Sequence, residues 1–216
     1  MKKKNKAIYL LFLMPFVYFA TACFVVWLVK TSGIYPSGSD TMYHVYRGDY
    51  VYNAIKSGNW YPLYDPAWYN GVEILRYWSP FPAYVMAFCQ YLAGGSQFGA
   101  YLFYIGGVCF LGACVWPFIG RGFNRPYMGA FIGLLWFFMP NNLCAIFIEG
   151  NLARSLSMIF LPVFIYSVYK YLYNHKLRYI PLMVFTFLLM ELCHLGYAGM
   201  VAIAVITVSY THLRAH

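Results

Sequence analysis

The sequence predicts an all-α, polytopic membrane protein: a transmembrane helix bundle with a large outer first loop containing juxtamembrane helices. Three observations predict it. Of the 216 residues, 62% are hydrophobic and 10% are charged, against roughly 25% charged in a soluble domain. Mean hydropathy is +0.58 with 22% aromatic residues, whereas disordered chains are poor in aromatics and rich in charge. The basic residues stand in the short segments between apolar runs. The net charge of +9 is therefore read as membrane topology, and no nucleic-acid partner is expected. Membrane lipids are the expected surroundings. Six cysteines lie within apolar stretches without a C-x-x-C pair, so they read as small core residues rather than zinc ligands or disulfides.

The opening MKKKNK carries four lysines and precedes 23 uncharged residues, 7–29. That length exceeds the ~20 residues needed to cross a bilayer core and the about 7 to 15 of a signal-peptide core. A retained first span with its amino end inside is expected. Residues 30–97 then form the outer loop, in which 31–76 contain four acids with Pro, Gly, Asn and many Tyr and Trp. Ser39 or Asp40 suits the N-cap of a helix running to about Ser57-Gly58.

Tyr77 to Gly120 is 44 residues without a charge and has room for one span or two. Parity selects one, because each extra span inverts every later loop. With a single span at 98–120, spans follow at 126–148 and 156–174, and two short ones at 179–193 and 196–210. Nine of the 15 Lys and Arg residues then lie inside, and the acids lie outside or in the outer half of the next segment. Residues 80–93 become a helix lying on the outer surface. The Gly129 to Gly133 spacing reads as close helix packing. Residues 1–210 are expected to form the N-terminal part of one transmembrane domain in a bacterial cytoplasmic membrane. The ending 211–216 resembles translated adapter read-through, so a non-native tail is expected there.

On a helix starting at Asp40, His44 and Arg47 follow at i+4 and i+7, which aligns an acid, an imidazole and a guanidinium on one face. Two readings of Asp40 stand. It caps the helix, where its charge suits the dipole, or it takes a proton from a hydroxyl nucleophile. A divalent metal ion at Asp40 and His44 would need a third ligand that the sequence does not name, so no metal ligands are assigned. Tyr43, Tyr46 and Tyr50 form a neighbouring aromatic stripe suited to packing or to the lipid interface. Glu149 and Arg154 join two spans at the outer face, and Glu191 and His194 stand where the two short helices meet. Ionisable groups at such depth usually face a bundle interior or a wet cavity. The alternatives are an interfacial location or a local pair for Glu191 and His194, and a plain surface charge for Arg154.

An acid followed four residues later by His, the segment Gly58-Asn59-Trp60-Tyr61-Pro62, Gly71, and the segment Tyr77-Trp78-Ser79-Pro80-Phe81-Pro82-Ala83-Tyr84 together resemble the first outer loop of GT-C membrane glycosyltransferases. Within that superfamily the chain is similar to bacterial YfhO-like proteins and to membrane proteins labelled 6-pyruvoyl-tetrahydropterin synthase-related, a label that does not imply pterin chemistry. The resemblance implies a helix bundle with an outer cavity, a polyprenyl-phosphate-linked sugar donor, and Asp40 in the place of the first-loop acid. Many relatives carry a second adjacent acid, where this chain has Thr41. On this reading Asp40 is the catalytic base. His44, Arg47, Arg154 and His194 are candidates for the donor phosphate. Trp60, Tyr61, Trp68, Glu73, Trp78, Glu149 and Glu191 are candidates for acceptor or sugar contacts. The competing classes are a lipid-carrier transporter, for which the Pro140-Asn141-Asn142 interruption speaks, and a non-catalytic membrane scaffold.

Overall fold

The computed structural model describes residues 2–214, with side chains from residue 12 to residue 211. The side chains of the amino-terminal lysines and of the tail beyond Thr211 lie outside the described residues. Helix α1 covers Lys2–Ser32. The loop helices are α2, Thr41–Lys56, and α3, Phe81–Leu92. Then come α4, Gln97–Gly122, and a broken helix over residues 126–148. It comprises α5 (Pro126–Leu135), a 3-10 turn (Trp136–Phe138), α6 (Pro140–Leu143) and a π turn (Cys144–Ile148). Helix α7 is Leu152–Leu172, α8 is Ile180–Cys193 and α9 is Leu195–Arg214.

Four helical stretches among the described residues are long and apolar enough to cross a membrane: 12–32, 97–122, 126–148 and 152–172. The two expected short spans appear as α8, of 14 residues, and an apolar run of α9 over Leu195–Thr211. Both are shorter than the ~20 residues of a full crossing. Helix α3 has 12 residues, which is about 18 Å of helix, and it packs on α2 and α4 instead of spanning.

The outward faces of the long helices are apolar and exposed, as at Phe16, Phe19, Phe103 and Phe131. That pattern fits a lipid solvent, in which helices meet through small residues and hydrogen bonds. Gly120 and Gly129 bring α4 and α5 together, since a Cβ on Gly120 would stand 2.6 Å from Gly129 Cα. Gly133 takes the hydroxyl end of Tyr18, so the Gly129 to Gly133 spacing serves packing. The Tyr18 hydroxyl donates to Ala130 O at 2.8 Å, and the Tyr104 hydroxyl donates to Leu152 O at 2.8 Å. These bonds tie α1 to α5 and α4 to α7.

The break in the fourth stretch has an internal cause. Pro140 has no N–H to donate, and Met139 adopts an extended backbone (ψ 122). Asn142 Nδ2 caps the interrupted ladder by donating to Trp136 O at 2.8 Å. All six cysteines are free thiols, and Cys89, Cys109 and Cys193 are buried.

One end of the bundle gathers the loop with the link 149–151 and the α8–α9 junction. Asp40 N donates to Glu149 O at 3.0 Å, and Ser79 Oγ donates to Glu191 O at 2.9 Å. The opposite end holds Arg121, Arg125, Lys170, Lys176 and Arg178, where Lys170 Nζ donates to Gly122 O at 2.8 Å. Every acid in the sequence belongs to elements of the loop end.

Candidate functional site

The site is built where three chain segments meet. The turn before α2 lies against the link between the broken helix and α7, and the contact is close because Gly150 has no side chain. Gly150 sits at φ +68, and a Cβ there would collide with Thr41 Oγ1. Ser39 Oγ donates to Glu149 O at 3.0 Å and lies 3.2 Å from Asp40 Oδ1. Asp40 occupies the N-cap position of α2, yet its side chain makes no capping bond. Its half-buried carboxylate is left for another role.

His44 is one turn further on and 6% exposed. Burial is the main force that pushes its pKa down, to about 3, with the charges of Arg47 and His194 adding to it. The imidazole is therefore neutral at pH 7. His194 is also pushed down, chiefly by burial, with Arg154 acting in the same direction and Asp40 opposing. The backbone N–H of Tyr197 donates to His194 Nδ1 at 3.0 Å, and the ring's Nε2 faces Asn151. That nitrogen lies 3.3 Å from Asn151 Nδ2. Asn151 also caps α7, its Oδ1 accepting from Arg154 N at 2.9 Å. Arg154 pairs with Glu149 at 2.6 Å, and Glu149 Oε1 accepts from Cys144 Sγ at 3.4 Å.

Arg47 is 1% exposed. Its Nη2 lies 3.3 Å from Trp78 O and 3.5 Å from Ser79 O, and its guanidinium packs over Tyr43, 5.4 Å from the ring centroid. Arg47 therefore holds the 78–79 segment onto α2, and among the described residues it pairs with no carboxylate. With His44 it lines a small void against Tyr104 and Leu152. Thr41 Oγ1, Arg47 Nε and Arg154 Nε are buried without a hydrogen-bond partner among the described residues. Buried polar atoms are normally paired, so these three are the unmet valences of the site.

Next to this cluster is an open aromatic cavity of about 300 Å³, lined by Tyr43, Trp68, Tyr69, Glu73, Tyr77 and Trp78 among others. Tyr43 joins the two, packing edge-on to Trp68 at 5.0 Å and Trp78 at 5.9 Å. The loop is shaped by Asp65, which is 2% exposed. It exchanges backbone hydrogen bonds with Val72 at 2.8 and 2.9 Å and accepts from the Tyr46 hydroxyl at 2.5 Å. Burial and that bond push the Tyr46 phenol up to about 12.

The structure thus brings together Asp40, His44, Glu149, Arg154 and His194, with Arg47 buried beneath them. Trp68, Glu73 and Trp78 line the cavity. Trp60 and Tyr61 are exposed and do not line it, the Trp60 carbonyl accepting from the Tyr84 hydroxyl at 2.7 Å. Glu191 is half-buried at the α8 end, where its carbonyl anchors Ser79. Glu73 pairs with Arg76 at 2.5 Å on the surface. No group of three or more His, Cys, Asp or Glu side chains able to hold a metal ion occurs among the described residues. Sequence reasoning gave no site role to Tyr69, Tyr77 or Asn151. Only Asn151 carried a signal, as a capping residue three positions before Arg154.

A family model described as 6-pyruvoyl-tetrahydropterin synthase related domain, membrane protein, matches residues 75–215. That segment covers Trp78, Glu149, Arg154, Glu191 and His194, while Asp40, His44 and Arg47 precede it. Searches of curated proteins and of solved structures return no match. The match extends over well over half of the chain, which belongs to this 6-pyruvoyl-tetrahydropterin synthase related family of membrane proteins.

Proposed function

We propose that the protein is a GT-C-type glycosyltransferase of a bacterial cytoplasmic membrane, with the loop end facing outward. It transfers a sugar from a polyprenyl-phosphate donor to an acceptor hydroxyl. The observation that carries the reading is Asp40: a half-buried carboxylate at a helix start that makes no capping bond, beside neutral imidazoles and Arg154. In the step, the acceptor oxygen attacks the anomeric carbon and the bond from that carbon to the phosphate oxygen breaks. The electron pair stays on the lipid phosphate, and the hydroxyl proton passes to Asp40. A positioned base of this kind contributes about 10² to 10⁴-fold.

The departing phosphate needs donors fixed in advance. His44 supplies an N–H group rather than charge, because it is neutral at pH 7, and the His194 imidazole, also shifted toward its neutral form, lies beside Arg154. Arg154 supplies the charge, and its unpaired Nε remains available while another nitrogen holds Glu149. Arg47 acts from beneath as an electrostatic and mechanical support. A second reading, a lipid-carrier transporter, is favoured by the broken helix over residues 126–148, since interrupted helices mark transport sites. Transfer of a labelled sugar by membranes holding the wild-type or Asp40→Asn protein separates the two. A transporter without covalent chemistry gives no glycosylated product in either case.

A further inference from the structure

We infer that the aromatic cavity of the loop is a subsite for a single neutral pyranose ring, presented by the acceptor. The inference deepens the glycosyl-transfer reading and rests on it only for the name of the reactant. The volume of about 300 Å³ is at the lower end of ligand pockets, which suits one sugar ring and not an oligosaccharide. The walls are flat faces carrying polar edges, the side-chain type that is apolar on one side and hydrogen-bonding on the other. The hydroxyls of Tyr43, Tyr69 and Tyr77 and the indole N–H groups of Trp68 and Trp78 have no hydrogen-bond partner among the described residues. A polyhydroxylated ring offers acceptors to all of them while its C–H face lies on the aromatic rings.

An aromatic cage for a quaternary ammonium is the competing ligand class. Charge decides against it. Arg47 packs over Tyr43 at 5.4 Å and Arg76 over Tyr77 at 5.8 Å, so two of the rings already hold cations, and Glu73 is neutralised by Arg76.

The backbone adds an independent observation. Tyr69 at φ 49, Asn70 at φ 62 and Gly71 at φ 112 place three consecutive residues in the left-handed region. For a bulky aromatic this conformation is an outlier, and such strain collects at ligand clamps. Here it holds Tyr69, 85% exposed, at the cavity rim. Tyr43 is three residues from Asp40, the residue at the N-cap position of α2, and feels its charge, so a ring seated against Tyr43 lies near the base.

The test is ligand-observed NMR on the 216-residue chain in amphipol, free of glycosidic detergent, with methyl glycosides of glucose, galactose, mannose and N-acetylglucosamine. At least one should bind with a millimolar dissociation constant. Trp78→Ala should weaken it at least tenfold, Trp78→Phe should restore most of it, and Tyr91→Ala, on an exposed position of α3, should leave it unchanged. Tyr77→Ala, at a 72% exposed position, gives a second readout if Trp78→Ala does not fold. Choline should not displace the sugar. Binding of none of the four glycosides overturns the inference, as does displacement by choline or equal loss in Tyr91→Ala. The assay contains no donor, so it is independent of the reaction. Transfer without sugar binding refutes the subsite alone, and sugar binding without Asp40-dependent transfer refutes the catalytic reading alone.

Discussion

Two histidines at one end of the bundle are kept neutral by burial, and that state has a measurable consequence. The pKa of His44 falls from 6.5 in the unfolded chain to about 3 in the folded one, and His194 is shifted the same way. Above pH 6.5 both states are neutral, and the fold loses nothing. As pH falls below 6.5 the unfolded chain takes up protons that the folded one refuses, so stability declines, by up to about 1.4 kcal/mol per pH unit for each such group. The midpoint of thermal unfolding should therefore drop between pH 7 and pH 5, before most carboxylates titrate. His44→Gln should flatten that drop. An unchanged slope in the variant would mean that His44 is solvated and not buried. The pattern Asp40, His44, Arg47 was legible from helical spacing alone, but its division of labour was not. Spacing puts three side chains on one face, whereas only tertiary packing buries Arg47 under Trp78 and Ser79 and leaves Asp40 half-buried.

The loop helices expected near 40–58 and 80–93 form at Thr41–Lys56 and Phe81–Leu92, the first read from a local N-cap signal and the second from the parity of the spans. The joint between α2 and the 149–151 link was invisible for the opposite reason. Asp40 and Glu149 are far apart in sequence, and the joint depends on a glycine whose value appears only once two backbones touch. Gly150→Ala should lower stability by at least about 1 kcal/mol, from the left-handed backbone alone, with the collision against Thr41 adding to it. Gly107→Ala is the matched control. A Cβ there meets nothing within 4 Å, and alanine is the better helix former. Equal unfolding midpoints for the two variants would show that the turn before α2 is not docked on Gly150. The aromatic cavity was unreadable for a similar reason, since Tyr43 and Trp78 come from different elements and become neighbours only when the loop closes over Asp65 and Val72.

At the scale of the molecule, the separation of charge gives a directional object. Acids, aromatic cavity and unpaired donors share one end, and the clustered Arg and Lys residues of the connecting segments occupy the other. The proposed orientation, with the loop end outside, rests on the basic-residue asymmetry. A membrane-impermeant thiol reagent should reach a cysteine placed at Asn70 or Asn151 from outside, and should not reach one at Asn124 or Asn174. Reversed labelling would invert the whole arrangement. The central claim is that Asp40 is a base and not a cap. Asn is as good a helix cap as Asp but accepts no proton, so Asp40→Asn separates the two roles. The decisive measurement is the rate of labelled sugar transfer from a polyprenyl-phosphate donor to acceptor in membranes, normalised to protein amount, for wild type and Asp40→Asn. The account predicts a loss of about 10² to 10⁴-fold with expression and unfolding midpoint nearly unchanged. Transfer at the wild-type rate by Asp40→Asn would contradict it.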